Sequence, residues 1–466
     1  MGTSRLGRRK FGEWRRKRSL RKKMSATAIV GLSLAVLAAT GAGAATVSLV
    51  TNIGNGGSGE LVTQGNNVAH KDLIGPKGSG LTQGVTSSSI TVGCVYTAAD
   101  FTGFQAGIQA RFNQSNSKGG VDGRKLTLIP CKDDASSVQT NVTENQQLVT
   151  QNNVFAVMSL SEDELSGSTN FLSSHQVPYY GWGFNPGFCG YRWGFGWNGC
   201  LGGNAIPEPL EVIAGNLSNA IVKASGLAPS KVRFAVQSEN SQSGLIGNAQ
   251  YTALFHKIGS KIVYAKSNYP VSASGVDNTP YAQAIVASDP NIVYLSTPFA
   301  DVGPLASAIR AAGYKGIIMD FTNYIPGLLQ TSSQLASALQ GEYVNTQLVP
   351  SEQNTAYDQQ IATQLGDIGQ PKFVTEGAFF GYAEADLFVQ QLEAVGHTLN
   401  TKTFDQKIND SGFASFTASD GGPGKLVWPA GHYLPSDCAS IVKVVGTNYQ
   451  VVTPFSCYQS YKIQKG

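Results

Sequence analysis

The chain has 466 residues, with 34 Lys+Arg against 30 Asp+Glu, 41% hydrophobic residues, 14% charged residues and 54 Gly. Eleven of the basic residues and one acid, Glu13, fall within residues 1–23, leaving 23 basic and 29 acidic side chains in the rest. That balance excludes a basic, nucleic-acid-binding body, and the composition excludes both a charged disordered chain and a multi-span membrane protein.

Residues 1–23 read as a basic cytoplasmic segment or the n-region of a signal. Met24–Val50 follows with no charged residue. As a helix it would reach about 40 Å, enough to cross a hydrocarbon core of about 30 Å. The upstream charges stay inside, so the remainder is expected to be extracytoplasmic. Two fates remain open. Cleavage near Gly41-Ala42-Gly43-Ala44-Ala45 releases a secreted protein, whereas retention leaves an anchor in the cytoplasmic membrane through Met24 to Val50. Arg8-Arg9-Lys10-Phe11 lies too far ahead of the apolar run for a twin-arginine signal. No Cys precedes Cys94, which excludes a lipid-modified Cys directly after that run. Residues 51–88 hold nine Gly and no periodicity, which is the composition of a flexible linker. The body beyond is long enough for two domains at about 150 residues each.

The body alternates strand and helix. Ser89–Tyr96 is β-branched, and Phe104, Ile108 and Phe112 form an apolar stripe on a helix over Phe101–Asn116. A strand at Lys125–Cys131 follows, then a helix at Ser136–Gln151 with Val138, Val142 and Val149 on one face. Strand Val154–Leu160, helix Glu162–Ser174 and strand Val177–Trp182 complete a first set. A second set begins with helix Ala205–Ser225 and strand Val232–Gln237. It continues through Gly244–Ile258, Lys261–Ala265, Pro280–Ala287, Ile292–Ser296, Gly303–Ala312 and Gly316–Met319. Such alternation builds parallel sheets with helices on both faces, so two doubly wound α/β lobes in tandem are expected.

Six Cys pair plausibly within this pattern, as befits an exported protein. With Thr447-Asn448 as a two-residue turn, Cys438 and Cys457 stand opposite each other on a hairpin. Cys189 and Cys200 close a short loop. Cys94 and Cys131 lie on strands expected to be neighbours. The alternative is a metal site, but no Cys-x-x-Cys occurs and the five His are scattered, so three disulfides and no metal are expected.

An aromatic-rich stretch leads into the Cys189–Cys200 loop and fills it. Trp182, Phe184, Phe188, Tyr191, Trp193, Phe195 and Trp197 alternate with Gly. One reading is an aromatic wall beside a binding cleft; the other is a surface flap packing its own rings.

Several motifs then carry a family resemblance. They are Ile90-Thr91-Val92-Gly93, Gly107, Lys118-Gly119-Gly120-Val121-Asp122-Gly123-Arg124-Lys125-Leu126, Asp133-Asp134 and Val154-Phe155-Ala156-Val157. Ile292-Val293-Tyr294-Leu295, Ile309-Arg310-Ala311-Ala312-Gly313-Tyr314, Gly381-Tyr382-Ala383 and Leu392-Glu393-Ala394-Val395-Gly396 extend the likeness over residues 88–455. The chain resembles the type I periplasmic binding proteins, specifically the Leu/Ile/Val-binding receptors of ABC transporters. The resemblance implies two doubly wound parallel-sheet lobes joined by three hinge crossovers, placed near Gly202–Pro207, Leu339–Val344 and Thr417–Gly422. The lobes would then be 89–204 plus 342–418 and 205–341 plus 419–460. It also implies a monomeric receptor that closes on a small-molecule solute and presents it to an ABC permease.

The resemblance suggests where a ligand sits. A Ser-bearing turn after the third strand binds the ligand carboxylate in that family, which points to Ser159 and Ser161 at a helix N-terminus. The turn after the fourth strand, with Gly183 and Phe184, looks like a second ligand loop, although Trp182 and Phe184 are larger than the family's usual residues. Ser241 falls where the family often has a covering aromatic. An acid that holds the ligand's ammonium is expected at Asp301 or Asp320. Each has a plainer reading as a helix cap, as do Ser159 and Ser161.

No enzyme signature occurs: Gly-x-Ser-x-Gly, a P-loop and His-Glu-x-x-His are all missing from the sequence. No cofactor is expected. The leading reading is an extracytoplasmic solute receptor for an amino acid, amide or aromatic carboxylate. A membrane-anchored ligand sensor of the same fold is the alternative, and an extracellular enzyme or adhesive module is a third.

Overall fold

The computed structural model describes residues 61–62, 73–161, 166–200, 212–214, 216–270, 275–324, 327–371, 374–416, 422–458 and 460–462. The basic segment 1–23, Met24–Val50 and the expected crossover near Gly202–Pro207 lie outside the described residues. So does nearly all of the crossover expected near Thr417–Gly422. Among the described residues no helix is long and apolar enough to cross a membrane.

Two main sheets form. After Leu61–Val62 (β1), the first lobe is built from Ser89–Tyr96 (β2), Phe104–Ser117 (α1), Lys125–Leu128 (β3), Lys132–Asp133 (β4), Val138–Thr150 (α2), Ala156–Leu160 (β5), Ser166–Ser174 (α3), Tyr179–Gly181 (β6) and Gly194–Gly196 (β7). Its strands run parallel in the order β3-β2-β5-β6-β7, with β4 also on β2. Phe104, Ile108 and Phe112 of α1 are fully buried, as their spacing requires, each contributing about 1.5–3 kcal/mol. Helix α2 corrects the expected face. Val138 is exposed, and Asn141, Asn145 and Leu148 point inward. The reason is polar: Asp134 accepts from Thr97 Oγ1 at 2.8 Å and from Asn141 Nδ2 at 2.9 Å, so the buried Asn141 amide is held in the interior.

The second lobe follows the same logic. Val212–Ala214 (β8) and Asn216–Ser225 (α4) precede Arg233–Glu239 (β9), Gln242–Lys257 (α5), Lys261–Tyr269 (β10), Thr279–Ala287 (α6), Ile292–Ser296 (β11), Phe299–Ala311 (α7) and Ile317–Asp320 (β12). Two short helices, Leu328–Thr331 (α8) and Ser333–Ala338 (α9), lead to Tyr343–Thr346 (β13). β13 pairs with β12, so the crossover expected at Leu339–Val344 falls later, beyond Thr346. The β-branched strand, once buried against β12, is more stable in the sheet than as a hinge.

The chain then returns to the first lobe through Ala356–Asp367 (α10), Glu376–Val395 (α11), Thr401–Asp405 (α12), Phe413–Ser415 (β14) and Leu426–Trp428 (β15). Helix α11 lies directly on α1. Added side-chain carbons at Gly107 and Gly381 would reach within 2.1 Å of the Ala378 and Phe104 carbonyls, so both glycines are what permits the approach. Arg111 of α1 and Asp386 of α11 lock the pair with a buried 2.7 Å ion pair. Trp428 packs on Phe195 and His432, which keeps residues through about 432 with the first lobe; the expected return at 419 therefore comes nearer Cys438. Cys438–Val445 (β16) and Asn448–Cys457 (β17) rejoin the second sheet, whose order is β10-β9-β11-β12-β13-β16-β17. Its last two strands are antiparallel. Ser460–Lys462 (β18) pairs with β1 and β8 in a small third sheet.

All three disulfides form as expected: Cys94–Cys131, Cys189–Cys200 and Cys438–Cys457. The hairpin turn is displaced from the expected one, with Val445 paired to Asn448 around Gly446-Thr447. Two register shifts, on either side of Ile441, bring Cys438 opposite Cys457 nonetheless.

Residues 73–88, expected as flexible linker, are instead strapped to the first lobe. Ile74 exchanges backbone hydrogen bonds with Gly190 and Arg192, Pro76 O accepts from Trp193 Nε1 at 2.9 Å, and Thr401 N donates to Leu81 O. Gly78 lies so close to Thr401 that a Cβ would come within 2.2 Å of its carbonyl oxygen. Glycine here serves close packing, not freedom.

Candidate functional site

The strand-to-helix turns of both sheets meet around one aromatic cluster. Trp182 and Phe184 follow β6, Phe321 follows β12, and Phe380 lies on α11. Trp182 stacks on Phe184 with centroids 5.2 Å apart and meets Phe380 at 5.4 Å. Across the lobes, Phe321 lies 5.7 Å from Trp182 and 5.3 Å from Phe184. Ring pairs at such spacings attract beyond their burial alone. Trp182 Nε1 also donates to Gln347 Oε1 at 3.3 Å, and Asn198 donates to the same oxygen, tying the aromatic turn to the end of β13.

Trp182 and Phe184 are shared by two compartments. The one nearer the second lobe has ≈ 480 Å³ of space between atoms, including its open mouth. Gly247, Gln250 and Tyr251 of α5 wall it on one side, and Asn345, Thr346 and Gln347 line the hinge side. Glu376 and Phe380 face it from α11. The inner compartment, ≈ 330 Å³, lies within the first lobe and is lined by Ser159, Leu160 and Ser161, with Phe101, Asn185 and Phe188.

The electrostatics are acidic. Glu376, the first residue of α11, has its carboxyl group pushed well above its usual range by burial and then by the charge of Asp320. Asp320 is fully buried at the end of β12, and burial raises it to about 6 despite backbone hydrogen bonds from Thr322 and Asn323, both at 2.8 Å. Its Oδ2 has no partner among the described residues. Glu342 is likewise raised, by burial and then by Asp320. Among the described residues no Lys, Arg or His lines either compartment. Among the described residues no group of three or more His, Cys, Asp or Glu is placed to hold a metal.

Among the residues expected from the sequence, Ser159, Ser161 and Phe184 line the compartments. Ser159 is buried, and its N–H donates to Glu384 Oε2 of α11 at 3.2 Å. Ser161 Oγ accepts from Thr97 Oγ1 at 3.4 Å. Gly183 lies behind the wall, its N–H held by Asn198 Oδ1 at 2.8 Å. Ser241 caps α5, its Oγ accepting from Gly244 N at 2.9 Å, and takes no part in the lining. Asp301, on the first turn of α7, lines neither compartment, and Asp320 lies beneath the first of them, next to Phe321. The aromatic stretch divides between its two readings. Trp182 and Phe184 line the cleft, whereas Trp193, Phe195 and Trp197 are buried against Phe404, Trp428 and Phe380.

Sequence reasoning missed Glu376, Phe380, Tyr251 and Phe321. Phe321 was accessible, since it follows a strand's carboxyl end. Glu376 and Phe380 share a helix face at i, i+4, but nothing local says that this face meets the cleft.

A family model described as "Periplasmic binding protein" matches residues 94–448. Among solved structures, a fatty acid ABC transporter substrate-binding protein from Thermomonospora curvata is similar at 16% identity, covering 82% of this chain and 95% of that one, with a TM-score of 0.65. A solute binding protein of an ABC transporter from R. palustris, in complex with 4-hydroxybenzoate, gives 16% identity, 81% and 98% coverage and a TM-score of 0.61. A leucine binding protein from Thermotoga maritima gives 13% identity, 78% and 97% coverage and a TM-score of 0.59. No curated protein matches the chain in sequence.

Proposed function

The chain belongs to the periplasmic binding protein family, and from that membership we propose that it is an extracytoplasmic substrate-binding protein which captures a small solute between its lobes for an ABC importer. The observation that carries this reading is the contact of Trp182 and Phe184 in one lobe with Phe321 in the other, beside an open cleft at the hinge. A solute bound there touches both lobes only when they are together, so it stabilises the closed form by its differential contacts. The closed receptor, a monomer, is what the permease engages. It does no chemistry on the solute.

The solute is small, because the compartments are modest, and it has an apolar or aromatic body, because rings form the walls. Similar structures, among them a fatty acid substrate-binding protein, a complex with 4-hydroxybenzoate and a leucine binding protein, support a site of this kind on this fold. The test is a thermal-shift screen of the full chain against amino acids, aromatic acids, fatty acids and organic amines. A ligand at 100 times its Kd stabilises by about 2.7 kcal/mol. We expect at least one class to raise the melting temperature, and Trp182→Ala to abolish that rise. A screen in which every hit persists in Trp182→Ala sinks the assignment of the cleft.

A further inference from the structure

We propose that the cleft takes an organic ammonium, its cationic nitrogen seated among the rings of Trp182, Phe184, Phe321 and Phe380 with the Glu376 carboxylate as counter-ion. This rests on the capture function proposed above and names its substrate class. Three independent observations lead there.

The first is the shape of the lining. Trp182, Phe184, Phe321 and Phe380, joined by four ring contacts of 5.2–5.7 Å, line one edge of the hinge-side compartment, and Tyr251 adds a fifth ring from the second lobe. Ring faces are negative, and a group of them attracts a soft organic cation more than a neutral or anionic group.

The second is the unanswered charge. Glu376 is more than nine-tenths buried and lines the compartment, yet its carboxyl group has no hydrogen-bond or ion-pair partner among the described residues. Asp320 sits beside Phe321 with Oδ2 buried and without a hydrogen-bond partner among the described residues. Burial acts on both carboxyl groups, and the charge of Asp320 acts on Glu376 as well, so a cation entering the cleft relieves them.

The third is what happens at the place where a carboxylate would go. The amide of Ser159, at the strand end facing the inner compartment, already donates to Glu384. A ligand carboxylate at that turn would have to compete for this donor with Glu384 Oε2, which already accepts from it. Among the described residues neither lining holds a Lys, Arg or His to compensate an anion. The site therefore discriminates against benzoates and zwitterionic amino acids by unpaired charge, and for amines by the same groups.

The experiment is isothermal titration of the full-chain protein with four probes: 2-phenylethylamine, benzyltrimethylammonium, 4-hydroxybenzoate and leucine. The expected result is binding of the two ammonium compounds and none of the carboxylates. Glu376→Gln, which keeps size and hydrogen bonding, weakens the ammonium compounds by at least about tenfold. Its urea midpoint, read alongside, separates lost affinity from lost fold. Tighter binding of 4-hydroxybenzoate or leucine than of either amine overturns the cation assignment while leaving solute capture intact. So does ammonium affinity that is unchanged in a folded Glu376→Gln protein. Failure of all four probes overturns the cation assignment too, and the broader thermal-shift screen then decides whether capture itself fails.

Discussion

Trp182 donates its indole N–H to Oε1 of Gln347, so the aromatic turn of one lobe is fastened to the residue where the chain leaves the second sheet. Among the described tryptophans Trp182 alone is not fully buried, which makes it a reporter of the cleft. Replacing Gln347 with Ala removes the acceptor and loosens the turn. We expect a loss of about 1 kcal/mol in denaturant unfolding and a red shift of the emission spectrum. The shift should vanish in a Trp182→Phe background; its persistence there would place the change elsewhere.

Glu384 should behave as a structural acceptor under the Ser159 turn. It is fully buried, and Glu384→Ala strands the Ser159 N–H while opening a void. A cost of about 2–4 kcal/mol in urea unfolding is expected, against less than about 1 for Glu384→Gln, which keeps an oxygen in place. Equal costs for the two variants would mean that the hydrogen bond is not what matters.

The disulfides should differ in worth according to the loops they close. Sequence separations are 37 for Cys94–Cys131, 19 for Cys438–Cys457 and 11 for Cys189–Cys200. On chain entropy, losses run from about 3 kcal/mol for the shortest loop to about 4 for the longest. Paired Cys→Ser variants, compared by urea midpoint, test the order. An inverted order would show that native-state packing around Cys189–Cys200 outweighs the entropy of the unfolded chain.

Asp320 should make stability depend on pH in a definite direction. Its carboxyl group is held at about 6, above the value of an unfolded Asp, near 4. The folded protein thus binds the proton more tightly, and the stabilisation this gives below about pH 4 is lost as pH rises through about 6. Asp358, also raised to about 6, acts in the same sense, whereas His432, pushed down to about 3 by burial, loses stability as pH falls below about 6.5. The comparison with Asp320→Asn isolates one group from this sum. The variant should match wild type near pH 4 and exceed it by about 2 kcal/mol at pH 7. A deficit at pH 7 would show that Asp320 is charged and paired in the folded protein.

Much of the fold was legible because it rests on local patterning. β-Branched runs such as Ser89–Tyr96 and Ile292–Ser296 are strands at the expected places, and the Cys pairs follow from strand adjacency. The Cys438–Cys457 pairing held even though the turn lies one residue earlier, since bulges around Ile441 absorb the offset. What failed was long-range. Glycine at Gly78 reads as flexibility until Thr401 is brought against it. Val138 reads as buried until the Asp134 network draws Asn141 inward. Ser241 looked like a ligand contact and is a cap, because the first free N–H groups of α5 need an acceptor whatever the cleft holds. Glu376 could not be found at all, because only the return of the chain through α11 carries it to the cleft.

The central claim is tested most directly by native mass spectrometry of the full-chain protein incubated with a defined mixture of amino acids, aromatic acids, fatty acids and organic amines. The account predicts that a single small molecule adds to the wild-type protein at one per chain, and that it is lost when Trp182 and Phe321 are both replaced by Ala. An adduct that survives in that folded double variant, or a wild-type protein that takes up none of the mixture, would contradict capture between the two lobes.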